Sequence, residues 1–122
     1  MARILVIDDE DVVRRMLRTA LELQGHEVFE AEQGDEALRV QQASPPDLVI
    51  TDIIMPEKDG LEVIMALRRL APRLKVIAMS GGGRFSQIDA LETAEMLGAA
   101  ATLRKPFNLA VVLETVKNVL AQ

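Results

Sequence analysis

Five short apolar runs alternate along this chain with stretches that carry the apolar spacing of amphipathic helices. The runs predict strands at residues 3–7, 26–31, 47–54, 74–79 and 100–103, and the stretches between them predict helices at 12–24, 34–42, 61–70, 85–97 and 109–120. Strands separated by helices favour right-handed crossovers and a parallel sheet with helices on both faces. We therefore expect one α/β domain over residues 1–122, built as a doubly wound (βα)5 fold.

The composition restricts the kind of partner this chain can have. Its 122 residues carry a net charge of −5, which disfavours direct binding to nucleic acid or to anionic lipid. The absence of cysteine excludes disulfides and thiolate metal sites. No apolar run reaches the roughly 20 residues that a membrane span needs. We expect a cytoplasmic protein that does not enter the membrane.

Polar side chains follow the apolar runs where the predicted strands end. These residues are Asp8 and Asp9 after the first strand, Asp52 in the third, Ser80 after the fourth and Lys105 after the fifth. In open α/β sheets, ligands bind beyond the carboxyl ends of the strands, where the strand order reverses. We therefore expect these five residues to form the functional site.

Three carboxylates, those of Asp8, Asp9 and Asp52, would repel one another at this edge unless a cation lay between them. Hard oxygen ligands without cysteine or a nearby histidine favour Mg²⁺. Asp8 and Asp9 could instead be acids that favour the start of a helix. A Mg²⁺ site and a helix cap both remain open from these residues alone.

Asp52 is the candidate nucleophile. A carboxylate can accept a phosphoryl group as an acyl phosphate where positive charge offsets the developing oxyanions. The ammonium of Lys105 could supply that charge, and the hydroxyl of Ser80 could donate to a phosphoryl oxygen. Singly, each could be an ordinary surface residue; their joint position makes the case. Lys105-Pro106 is also a candidate for a cis peptide bond, although most such bonds are trans.

An ordered set of segments closely resembles the receiver domain of two-component response regulators, which are CheY-like. The matching segments are residues 4–10, residues 46–56 with Asp59-Gly60, the strand that ends at Ser80, and Lys105-Pro106-Phe107. The resemblance spans essentially the whole chain and implies a flavodoxin-like strand order of 2-1-3-4-5. It also implies an output by protein contact.

The resemblance implies roles for individual residues. Asp52 would be phosphorylated by a histidine kinase or a histidine phosphotransfer protein, with Ser80 and Lys105 sensing the phosphoryl group. Mg²⁺ would be held by Asp8, Asp9, Asp52 and the backbone carbonyl of Ile54. Beyond phosphorylation from a phosphodonor and loss of that group, no enzymatic activity is expected.

The sequence departs from the family pattern in ways that bear on switching. Thr102 stands where an aromatic residue commonly swings inward, so any switch is expected to involve Ser80 and its glycine-rich loop. Ile54 and Gly82 stand where polar residues often orient a hydrolytic water. We therefore expect a long-lived phosphoaspartate.

Two surfaces are candidates for partner contact. Val111 lies off the apolar stripe of the last helix and should face solvent near Thr102, on the face of helix 4, strand 5 and helix 5, through which a homodimer could form. Arg14, Arg15 and Arg18 share a helix face that could dock a kinase or be simply solvated.

Two other functions compete with this interpretation. Asp9-Glu10-Asp11-Val12-Val13 also resembles the nucleophile motif of haloacid-dehalogenase-type phosphatases, with Asp9 as nucleophile and Asp11 as acid. That family needs an acidic metal pair after its lysine, and Glu114 is the first acid after Lys105. A receiver-like binding module that never takes phosphate is the other alternative. No phosphate loop of the Gly-x-x-x-x-Gly-Lys type is present, so an NTPase is not supported.

Overall fold

The computed structural model describes residues 1–53, 60–80, 95 and 98–122. Its elements are β1 (Arg3–Ile7), α1 (Asp11–Leu23), β2 (Glu27–Ala31), α2 (Gly34–Ala43), β3 (Leu48–Asp52), α3 (Gly60–Leu70), β4 (Lys75–Ser80), β5 (Ala101–Arg104) and a C-terminal helix (Leu109–Leu120). Each agrees with its prediction to within two residues at either end. The predicted helix at 85–97 lies almost wholly outside the described residues, as do Ile54 and Gly82.

The five strands form one parallel sheet in the order β2-β1-β3-β4-β5, which confirms the predicted fold class. The chain moves from β1 outward to β2 and then crosses to β3 on the other side. The strand order therefore reverses between β1 and β3, and the carboxyl ends of these two strands form the crevice where such folds bind ligands. Ile7 pairs with Thr51 in this register, so the next residues, Asp8 and Asp52, emerge side by side.

Alternate strand residues pack against helices on opposite faces of the sheet, because side chains along a strand point alternately up and down. Leu5, Val49 and Val76 pack with residues of α2 and α3 on one face. Ile4 and Ile50 pack with α1 and the C-terminal helix on the other. Both faces are thus covered, and the strands read as continuous apolar runs for that reason.

The first helix corrects one expectation. Arg14 was expected on a solvated face with Arg15 and Arg18, yet it is only 6% exposed, whereas Arg15 is exposed and Arg18 half-buried. Arg14 is buried because acidic partners from its own helix and from β2 surround its guanidinium. The three arginines therefore do not form one accessible docking face.

The C-terminal helix has the expected boundary and orientation. The side chain of Asn108 caps it by accepting a hydrogen bond of 2.7 Å from the backbone N–H of Ala110. Val112 and Val116 are buried, whereas Val111 is 53% exposed, as its position off the apolar stripe predicts. Thr102 in β5 is half-buried.

Among the helices within the described ranges, none is long and apolar enough to cross a membrane.

Candidate functional site

Two buried carboxylates lie at the point where the strand order reverses. Asp8 follows β1 and is 0% exposed, and Asp52 ends β3 and is 4% exposed. Neighbouring strands fix both positions: the N–H of Asp8 donates to the carbonyl of Ala31, and the N–H of Ile53 donates to the carbonyl of Met79. Buried carboxylates are costly unless they are paired, so this site needs positive charge.

Lys105 supplies that charge. Its Nζ donates to Asp8 Oδ2 at 2.8 Å, to Asp52 Oδ2 at 3.1 Å and to Glu10 Oε1 at 3.3 Å. Burial works against the charged ammonium, but the hydrogen bond to Asp8 and the charge of Asp52 outweigh it, so the pKa of Lys105 lies above its ordinary value. Lys105 therefore remains a cation that joins three acids from two strand ends.

The backbone brings Lys105 and Ser80 together. The N–H of Lys105 donates to the carbonyl of Ser80 at 2.8 Å, next to the register pair of Ser80 and Arg104. The Lys105-Pro106 peptide bond is cis. The Oγ of Ser80 is buried and has no hydrogen-bond partner among the described residues. A hydroxyl that can donate a hydrogen bond therefore lies at this edge of the sheet.

The acidic group differs from the predicted one in one member. Carboxylate oxygens of Asp8, Glu10 and Asp52 lie within 4.8 Å of one another. Asp9 is exposed and lies outside this group, and the carbonyl of Ile54 falls outside the described residues. Three hard oxygen donors at this edge of the sheet fit Mg²⁺, which takes one or two carboxylates and otherwise keeps water. The cluster could therefore hold that metal.

Glu10 and Arg14 are the site residues that sequence reasoning missed. Four consecutive acids follow β1, and their order alone does not show which side chains turn inward. Glu10 precedes α1, and its N–H donates to Asp8 Oδ1 at 2.9 Å while its carboxylate reaches Lys105. An arginine inside an otherwise polar helix face carries no sequence signal of burial. Its burial is explained by its bonds to Glu30 in β2, to Asp11 in its own helix and to the backbone of Asp8.

The arrangement does not support the phosphatase alternative. Asp9, the nucleophile in that interpretation, is exposed, and Asp11, its acid, bonds instead to Arg14 Nη2 at 2.5 Å. The buried carboxylate that lies against the cation is Asp52. The described residues thus place one ammonium between two buried carboxylates, with a third acid close enough to share a divalent metal.

Comparisons with known proteins agree with this geometry. The family model for the response regulator receiver domain matches residues 4–117. Sporulation initiation phosphotransferase F of Bacillus subtilis is 30% identical, over 97% of this chain and 93% of the relative. Regulatory protein AtoC of Escherichia coli is 41% identical over 88% of this chain, but only 23% of that longer protein is covered.

Among solved structures, the receiver domain of NtrX from Brucella abortus superposes with a TM-score of 0.91 and 30% identity. The match covers 98% of both chains. The chain thus spans most of the length of one curated relative and less than a quarter of the other, a longer regulatory protein.

Proposed function

The chain belongs to the response regulator receiver domain family, and we propose that it accepts a phosphoryl group on Asp52 and thereby changes its contacts with a partner protein. The donor would be a histidine kinase or a histidine phosphotransfer protein. Membership of this family also contradicts the haloacid-dehalogenase alternative. The observation that carries the proposal is the ammonium of Lys105 held between two buried carboxylates, those of Asp8 and Asp52.

The reaction follows from the chemistry of these groups. An oxygen of the Asp52 carboxylate attacks the phosphorus of the donor, a P–O bond to Asp52 forms, and the P–N bond of a phosphohistidine breaks. The imidazole leaves with the electron pair of that bond and takes up a proton from water. Lys105 offsets the negative charge on the phosphoryl oxygens, and the hydroxyl of Ser80 is available to donate to one of them.

Mg²⁺, when bound, would supply further positive charge to the transferring phosphoryl group. Asp8 and Asp52 are the ligands that we propose with most support, because both are buried at the strand ends. Asp9 and Glu10 are rival candidates for a further carboxylate: the family resemblance favours Asp9, and the side-chain positions favour Glu10. The role of the Ile54 carbonyl stays a prediction.

Switching would begin at Ser80. The buried hydroxyl of Ser80 has no hydrogen-bond partner within the described part of the chain, and a phosphoryl group on Asp52 would offer it an acceptor. That bond would favour the conformation that brings Ser80 and the phosphoryl group together. Phosphorylation then shifts a two-state equilibrium by its differential contacts with the two states.

Thr102 and Val111, in β5 and the C-terminal helix, lie on the face that we propose for partner binding or dimerisation. The long phosphoaspartate lifetime stays a prediction.

The test is intact-mass spectrometry after incubation with acetyl phosphate and Mg²⁺. We expect one phosphoryl group on the native chain and none on Asp52→Asn. Asp9→Asn and Glu10→Gln, compared at limiting Mg²⁺, should show which acid supports the metal through slower labelling. A native chain that gains no phosphoryl group, or an Asp52→Asn variant labelled as fast as the native chain, would contradict the proposal.

A further inference from the structure

We infer that Arg14 is a positioning residue that holds Asp8 in the orientation the metal and phosphoryl chemistry requires. The inference rests on the proposed function, because that function gives Asp8 its role. The contacts between Arg14 and its neighbours are observed independently of that function. Arg14 is buried within α1, so it is not available for the kinase docking that the sequence suggested, and the proposed reaction does not use it.

The guanidinium of Arg14 joins three segments of the chain. Its Nη1 donates to the backbone carbonyl of Asp8 at 2.8 Å, its Nε to Glu30 Oε1 in β2 at 2.9 Å, and its Nη2 to Asp11. A planar guanidinium presents these donors in a fixed geometry that an ammonium does not reproduce. The turn between β1 and α1 is therefore tied to the neighbouring strand through one side chain.

Every polar group of Asp8 has a partner as a result. Its N–H bonds to the carbonyl of Ala31, its carbonyl to Arg14, its Oδ1 to the N–H of Glu10 and its Oδ2 to Lys105. Arg14 is the only side chain among the described residues that bonds to the backbone of Asp8. Its loss would leave a buried carbonyl unsatisfied next to a proposed metal ligand, and such a carbonyl moves towards water.

The chain offers a matched control in Arg18. Arg18 lies one turn further along α1, and its Nη1 donates to the other oxygen of the same glutamate, Glu30 Oε2, at 2.7 Å. None of the bonds described for Arg18 involves Asp8. Replacing either arginine by methionine removes one positive charge and one bond to Glu30. Arg14 differs from Arg18 in its bonds to Asp8 and Asp11 and in its deeper burial, so the Glu10 amide, which bonds to the Asp8 carboxylate, is the readout that reports on Asp8 itself.

The experiment measures Mg²⁺ binding to the unphosphorylated protein by calorimetry and the exchange of the Glu10 amide by NMR without metal. Partners that orient a metal ligand change metal affinity by roughly 10–100-fold. We expect Arg14→Met to weaken Mg²⁺ binding about tenfold and to speed exchange of the Glu10 amide, which bonds to the Asp8 carboxylate. Arg18→Met should leave both quantities within about twofold of the native values. Arg14→Lys, which keeps the charge but not the planar donors, should resemble Arg14→Met.

Equal Mg²⁺ affinity and equal Glu10 exchange in Arg14→Met and Arg18→Met would overturn the inference. If Arg14→Met does not fold, Arg14→Lys decides by the same two readouts against Arg18→Lys. Failure of the proposed function is recognised separately, because Asp52 of the native chain would then gain no phosphoryl group whatever Arg14 does. The amide readout needs neither metal nor phosphodonor and so tests the positioning role in either case.

Discussion

Lys105 Nζ lies 2.8 Å from Asp8 Oδ2, which joins the end of the fifth strand to the end of the first across 97 positions of sequence. Asp8 is fully buried, and Asp52 shares the same ammonium. One cation offsets the repulsion between these two buried acids, and its removal takes that positive charge away from both. Lys105 therefore both supplies the positive charge that these acids need and links the end of β5 to the ends of β1 and β3.

Lys105→Met should lower the free energy of unfolding by roughly 3 kcal/mol without Mg²⁺, because it removes the ammonium that the buried carboxylates of Asp8 and Asp52 share. Saturating Mg²⁺ should restore much of this loss, since a ligand that binds only the native state stabilises it. Urea unfolding with and without Mg²⁺ measures both effects. Lys75→Met is the control: Lys75 bonds to the backbone carbonyl of Gln122 in an exposed position. Equal stability of the two variants without Mg²⁺ would argue against the counter-ion role.

Ser80→Ala should leave the unphosphorylated protein as stable as the native one, to within about 0.5 kcal/mol. The Oγ of Ser80 makes no hydrogen bond among the described residues, so its removal breaks none of the described bonds and deletes a buried polar atom without a partner there. Thr51→Val is the contrast, because Thr51 Oγ1 is buried and donates to the carbonyl of Asp52 at 3.0 Å. That variant should lose about 1 kcal/mol. Urea unfolding of both variants gives the comparison, and a loss in Ser80→Ala as large as in Thr51→Val would show that Ser80 has a partner in the resting state.

The fold was predictable from the sequence because apolar residues follow one spacing in the strands and another in the helices. Doubly buried strands read as continuous runs, as in residues 3–7, and helices read as stripes, as in residues 109–120. Boundaries moved by one or two residues both away from the site, as at the start of β2 and the end of α2, and at the site itself. Asp52 stays within β3, and Ser80 extends β4, because the sheet continues to the functional edge.

The sequence predicted which strand ends meet at the site, but not which side chains there point into it. Topology places Asp8, Asp52 and Lys105 together whatever their rotamers, so sequence position was enough. The choice between Asp9 and Glu10 depends on the direction of side chains in one turn, which no periodic pattern encodes. The prediction for Arg14 was wrong for a related reason. Its position in α1 predicts a solvent-exposed side chain, but the side chain is buried where it pairs with Glu30 of β2.

Asn108→Ala should lower stability by about 1 kcal/mol, because the N–H of Ala110 loses the acceptor that caps the C-terminal helix. Asn108→Asp keeps an acceptor at the same place and should remain close to the native value. Thermal unfolding of the three proteins measures the effect. A loss in Asn108→Asp equal to that in Asn108→Ala would show that the side-chain oxygen does not cap the helix.

Glu30→Gln should lower the free energy of unfolding by about 2 kcal/mol at pH 7, because the charge-assisted bonds that Glu30 accepts from Arg18 and Arg14 are weakened together. The hydrogen bond from Arg18 lowers the pKa of the Glu30 carboxyl below its ordinary value of 4.5, burial opposes this, and the bond from Arg14 adds to it. A carboxyl with a lowered pKa binds fewer protons in the folded state than in the unfolded state. Its contribution to stability is therefore complete above pH 4.5 and disappears as the pH falls through the folded pKa.

The difference in stability between the native protein and Glu30→Gln should accordingly be constant from pH 8 to pH 6 and shrink as the pH is lowered below 4.5. Urea unfolding at several pH values measures this difference, and acid effects of the other carboxyls cancel because both proteins share them. Glu22→Gln serves as the control, because the ion pair described for Glu22 is an exposed one with Arg18, at 3.4 Å. This substitution should cost about 0.5 kcal/mol of stability or less. A difference for Glu30→Gln that grows on acidification would have the wrong sign for a carboxylate stabilised by two arginines, and would mean that these ion pairs do not hold α1 against β2.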